Sequence, residues 1–73
     1  MITELTIYQV ARLHGELAGV EEIDLSGVTE LDTAGFQLLL ALRKEAQAQG
    51  RELRLVDPSD VVREAFTTLG ERL

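Results

Sequence analysis

Two hydrophobic periods alternate along the chain. ELTI (4–7) reads as a short strand. YQVARLHGEL (8–17) then sets Val10, Leu13 and Leu17 at helical spacing, with Ala11 and Ala18 beside them. Thr6 followed by Gln9 is a candidate capping box for this helix. Gly15 inside it costs about 1 kcal/mol against Ala. VEEIDLSG (20–27) alternates Ile23 and Leu25 with Asp24 and Ser26, the pattern of a half-buried strand. AGFQLLLALRKEAQAQG (34–50) is the strongest helix. Phe36, Leu39, Leu40 and Leu42 form its apolar stripe, charged and amide side chains take the other side, and Gly50 is a natural residue just past its end. RELRLVD (51–57) alternates again, with Leu53 and Leu55 inward and Glu52 and Arg54 outward. SDVVREAFTTLG (59–70) opens with Ser59 as N-cap after Pro58, repeats Val62, Ala65, Phe66 and Leu69 on one face, and stops at Gly70.

Strands separated by helices imply parallel pairing through right-handed crossovers. A parallel sheet covered on both faces would read as continuous Val, Ile and Leu. These strands carry charge at every second position. The expected fold is therefore α/β: an open sheet of about three to four mostly parallel strands with about three helices gathered mainly on one face. On the open face, Asp24 and Arg54 are either a cross-strand pair or two independently solvated charges.

Size and charge narrow the function. The chain has 73 residues, enough for one domain with a modest core, so help from a partner subunit fits. It has no cysteine, which removes disulfides and thiolate metal sites, and its single His leaves no His cluster for zinc. Apolar residues reach 45%, as in a globular fold. The net charge of −6 argues against duplex nucleic acid or an anionic membrane as surface partner, since phosphate contacts call for Lys or Arg. No run approaches the roughly 18 apolar residues of a membrane span, and no leader is readable. A cytoplasmic protein is expected.

One stretch resists a purely structural reading. LDTAG (31–35) runs off the C-terminal end of a strand into the start of the long helix. Ligands and partners of open α/β sheets meet that rim, and a helix start offers unpaired N–H groups to anions. Either Asp32 or Thr33 can be the N-cap. Thr33 can also be a phosphate acceptor or a contact that a partner reads, and a phosphate would add nearly two negative charges beside Asp32. Gly35 either gives room in the first turn or lets another backbone approach. No phosphate-binding glycine motif is present, so a nucleotide has no recognisable cradle. His14 falls on the polar side of the first helix, and Asp57-Pro58-Ser59-Asp60 reads as a turn with a cap. With no constellation of catalytic groups, neither an enzyme nor a cofactor is expected.

The residues IDLSGVTELDTAGFQLLLALRKEAQAQGRELRLVDPSDVVREAFTTLG (23–70) resemble a STAS domain, the fold of bacterial anti-sigma-factor antagonists. The likeness lies in a strand ending Asp-Leu-Ser-Gly, a short loop, Asp-Ser/Thr-x-Gly and a leucine-rich helix. A strand of the LRLVD kind and a helix closing near Leu-Gly follow. ELTIYQVARLHGEL is similar to the family's preceding strand and first helix, so the resemblance spans nearly all of 1–73 as a single domain. It implies a non-enzymatic signalling module in the regulation of transcription. In partner-switching members the hydroxyl residue after the Asp is phosphorylated by a kinase that is also the anti-sigma factor, and phosphorylation breaks docking. Thr33 stands at that position, with Ser26, Asp32, Ala34 and Gly35 as the surrounding partner-binding loop. The acceptor is Thr where antagonists usually have Ser. In this the chain is similar to the STAS subunit that binds the ATPase of bacterial ABC transporters maintaining lipid asymmetry. Family members carry one more strand before ELTI. Its lack here leaves a sheet edge that either Thr3 and Glu4 blunt or a second copy pairs, making a homodimer.

Overall fold

Leu5, Ile23, Leu25 and Val28, all buried, mark the line along which short strands meet three helices. The computed structural model describes residues 1–73. Its elements run β1 (Glu4–Leu5), α1 (Val10–Leu17), β2 (Glu22–Asp24), β3 (Glu30–Leu31), α2 (Thr33–Ala48), β4 (Arg54–Val56) and α3 (Asp60–Thr68). Both strand pairings are parallel: β1 with β3, and β2 with β4. The expected α/β architecture with parallel strands and three helices is the observed one. Its sheet, however, is divided into two two-stranded ladders, and β3 is a strand inside what reads as loop. The division falls at a turn. The Val28 N–H bonds the Leu25 carbonyl at 3.3 Å, while Leu25 itself donates to Val56 at 2.9 Å, so the strand expected over 20–27 ends before Gly27.

Strand alternation decides which face is covered. In β2, Ile23 is buried between exposed Glu22 and Asp24, and Arg54 of β4 is exposed, so the helices cover one face and the other is open. The register sets Glu22 opposite Arg54 and Asp24 opposite Val56. Arg54 therefore pairs with Glu22, at 2.7 Å, and not with Asp24. Asp24 instead accepts the Ser26 N–H at 2.9 Å, closing the turn. Periodicity could reveal that both charges face out. It could not reveal which carboxylate lies level with Arg54.

Each helix begins and ends for a local reason. α1 starts at Val10, the first residue of the apolar spacing and two residues into the expected segment 8–17, and only half of the capping box forms. Gln9 reaches back to accept the Thr6 N–H at 3.2 Å and bonds the Thr6 hydroxyl, while the helix start has no side-chain cap. α2 is capped by Asp32 and closed by Gly50 at φ 74°, the left-handed conformation that glycine adopts without penalty. Its buried stripe is Phe36, Leu38, Leu39, Leu42 and Ala46; Leu40 is only partly covered. α3 is capped by Ser59, whose hydroxyl accepts the Val62 N–H at 3.4 Å. Leu69, expected on its apolar face, lies beyond the last turn and is 54% exposed.

Packing joins the helices through few side chains. Phe36 of α2 and Phe66 of α3 meet edge to face with centroids 4.9 Å apart, and the Arg43 guanidinium lies 5.7 Å over the Phe66 ring. α1 reaches α2 on the surface through His14, whose Nε2 lies 2.9 Å from a Glu45 oxygen.

Candidate functional site

The start of α2 is fixed from both sides by Asp32. Its Oδ1 accepts the Gly35 N–H at 2.9 Å, as an N-cap does, and its Oδ2 accepts the Ile7 N–H at 2.8 Å from the turn after β1. Its own N–H donates to the Leu5 carbonyl at 3.1 Å. The Gly35 bond, then the Ile7 bond, holds the Asp32 carboxyl below its ordinary pKa, because each N–H favours the ionised form. Of the two N-cap candidates the cap is Asp32, and Thr33 is the first helical residue.

Gly35 completes the joint. It is buried, and a Cβ there would overlap the Leu5 carbonyl and come within 2.8 Å of Leu5 Cβ. The backbone that Gly35 admits is that of β1 in the same chain.

With Asp32 and Gly35 engaged internally, Thr33 is the residue of the group whose polar atom faces outward. It is exposed, and its hydroxyl makes no hydrogen bond within the chain. Ala34 behind it is half-buried. Ser26 is exposed in the turn after β2, its N–H closed onto Asp24, and no hydrogen bond links it to Thr33. The Asp24 carboxyl is also held below its ordinary pKa, by the Ser26 backbone N–H and then the Ser26 side chain.

The surroundings of Thr33 are apolar. A shallow groove of about 290 Å³ runs between the start of α2 and the end of α3, lined by Leu31, Thr33, Phe36, Ala65 and Leu69 with Asp32 at its side. Across the Asp32 tether stand Ile7, 58% exposed, and Tyr8, 90% exposed. Sequence reasoning missed Ile7, Tyr8, Leu31 and Leu69 as site residues. ELTI reads as a strand to Ile7 and Tyr8 as the start of the next helix, but β1 ends at Leu5 and α1 starts at Val10, so both fall in a turn that the pattern does not show.

Residues 3–71 match the family model described as Mlab, STAS domain. The chain is a STAS domain. No curated protein matches it. STAS domains are typically non-enzymatic binding modules, and this STAS domain is accordingly a protein-interaction module of the regulatory type. No helix in it is long and apolar enough to cross a membrane.

Proposed function

We propose that this STAS domain is an antagonist-like docking module whose partner reads the loop and helix start around Thr33. The partner in this reading is a serine/threonine-kinase-type anti-sigma factor in the cytoplasm, and phosphorylation of Thr33 releases it. The observation that carries the reading is the free, exposed Thr33 hydroxyl, with exposed Leu69 lining the same groove and exposed Ile7 tied to the neighbouring Asp32, apolar side chains that the fold itself does not use. Scattered exposed apolar residues are ordinary; a group around one unengaged polar atom fits an interface with a central contact. A phosphate on Thr33 would put nearly two negative charges into that apolar face beside the Asp32 carboxylate. Repulsion and desolvation then act on docking, while the Asp32 tethers keep the joint intact. The module needs no catalytic group or cofactor of its own.

A second reading has this STAS domain dock on the ATPase subunit of an ABC phospholipid transporter, with Thr33 a contact that is never modified. The threonine in Asp-Thr-Ala-Gly, where serine is usual among antagonists, favours it. Affinity capture of the tagged chain from its own cells, repeated with Thr33→Ala and Thr33→Glu, separates the two. A switch predicts capture of a kinase-type protein that survives Thr33→Ala and is lost with Thr33→Glu. Recovery of a transporter ATPase, with ATPase rates dependent on the domain, selects the second reading. Equal capture of the same kinase by both variants rules out the switch.

A further inference from the structure

The cations of this acidic chain are not spread evenly. Four of its seven Lys and Arg residues, Arg43, Lys44, Arg51 and Arg72, line one open cleft of about 790 Å³. The cleft lies between the second half of α2, the turn into β4 and the tail after α3, with Leu40 and Leu53 as apolar floor. Of the three cations elsewhere, Arg12 pairs with Glu16 at 3.0 Å and Arg54 with Glu22 at 2.7 Å, while Arg63 donates to the Pro58 carbonyl at 3.0 Å. None of the four in the cleft pairs with an Asp or Glu side chain. Arg51 is oriented by the Gln49 amide oxygen at 2.6 Å and the Val20 carbonyl at 3.2 Å, and Arg43 by the Phe66 ring and by the Leu73 main-chain oxygen, to which its Nη1 donates at 3.4 Å. Lys44 and Arg72 make no hydrogen bond or ion pair. Glu52 and Glu71 also line the cleft, so its side chains carry a surplus of two positive charges in a chain of net −6.

The helix dipole favours cations only in the last turn of a helix, and the last turn of α2 holds none, so it does not account for Arg43 and Lys44. Nor does it account for Arg72, which comes from the other side of the cleft. A concave site lined mainly by one sign concentrates counter-ions. Three guanidinium forks and an ammonium exceed what one carboxylate neutralises, and planar forks match phosphate oxygens in pairs. The volume lies within the roughly 300–1,000 Å³ of small-ligand sites.

We propose that this cleft is a second binding site, independent of Thr33, for a multiply charged phosphate group, carried either by a soluble phosphoester or by a phosphorylated lipid headgroup. The test titrates the full ¹⁵N-labelled chain with tripolyphosphate and, in a separate arm, sediments it with vesicles of phosphatidylcholine with and without phosphatidic acid. The expected result is saturable binding in one arm or both, with amide shifts confined to the second half of α2, residues 51–53 and the tail in the soluble arm. Binding to phosphatidic acid vesicles alone assigns the group to a headgroup. Lys44→Gln with Arg72→Gln removes two charges that hold no part of the fold and is expected to weaken binding about tenfold or more. Arg12→Gln with Arg54→Gln, which removes as much charge elsewhere, leaves binding unchanged, as does Thr33→Glu. Absence of binding in both arms overturns the site. So do shifts outside the cleft, or equal weakening by the two double variants.

Discussion

Asp32 Oδ2 accepts the Ile7 N–H at 2.8 Å, tying the start of α2 to the turn after β1 across twenty-five residues of chain. The same carboxylate caps α2 through Gly35. Asp32→Asn keeps an oxygen for one N–H and loses the other acceptor; Asp32→Ala loses both. Thermal midpoints are therefore expected to fall in the order wild type, Asn, Ala. The pH dependence has a definite sign. A carboxyl whose folded pKa is lowered stabilises the fold above its unfolded pKa, about 3.9, and that contribution disappears as pH falls through the lower folded value. The difference between wild type and Asp32→Ala should be full at neutral pH and shrink below about pH 4. Urea midpoints of both proteins across that window measure it. A gap that stays constant into acid would show that the charge of Asp32 is not what holds the joint.

Two glycines in helices give opposite expectations. A Cβ at Gly35 would run into the Leu5 backbone, which belongs to a paired strand and cannot swing aside; a Cβ at Gly15 meets nothing within 4 Å. Gly35→Ala is expected to destabilise by about 1–3 kcal/mol through overpacking. Gly15→Ala is expected to stabilise by up to about 1 kcal/mol through helix propensity. Denaturant unfolding of both variants checks the pair. If Gly35→Ala cost nothing, the close seating of α2 on β1 would be wrong.

The contrast between those glycines marks what was legible in the sequence. Periods of two and near four are local properties, so the three helices, the parallel strands and the outward charges of β2 and β4 could be read directly. Thr33 at a strand-to-helix corner could be read too, since cap chemistry is local. What could not be read depends on residues far apart in the chain. β3 shows no alternation of its own and exists because Glu30 and Leu31 lie level with Glu4 and Leu5. Asp32's second bond reaches back to Ile7, and Gly35 is needed because Leu5 passes over it. The apolar rim around Thr33 likewise gathers from β1's turn, β3 and the end of α3. The resemblance implies Thr33 as an acceptor and Gly35 as part of the docking loop; the packing adds a role for Gly35 inside the fold.

The pairing of Arg54 with Glu22 carries a modest expectation. Both side chains are more than half exposed, at 65% and 55%, so solvent screens the 2.7 Å contact. Arg54→Ala, and Glu22→Ala separately, should each change stability by less than about 1 kcal/mol. A double-mutant cycle between Arg54 and Glu22 should show a small coupling that vanishes at high salt. A cycle between Arg54 and Asp24 should show less, since Asp24 stands opposite Val56. Stronger coupling to Asp24 would mean the register of β2 on β4 is shifted.

Docking and folding must separate at Thr33 if its hydroxyl serves a partner. Its side chain is exposed, so Thr33→Glu removes no packing, and the first turn of a helix favours negative charge. The neighbouring Asp32 opposes that gain. The net change in unfolding free energy is expected to stay within about 0.5 kcal/mol. Phe66→Ala provides the contrast. Phe66 is 1% exposed and packed edge to face against Phe36, and its loss should cost about 3–5 kcal/mol, a large share of the stability available to so short a chain. Urea titrations of the three proteins, each followed by circular dichroism, rank them. A Thr33→Glu protein that unfolds as readily as Phe66→Ala would place Thr33 in the scaffold, and any loss of partner binding by that variant would then reflect unfolding and not a switch.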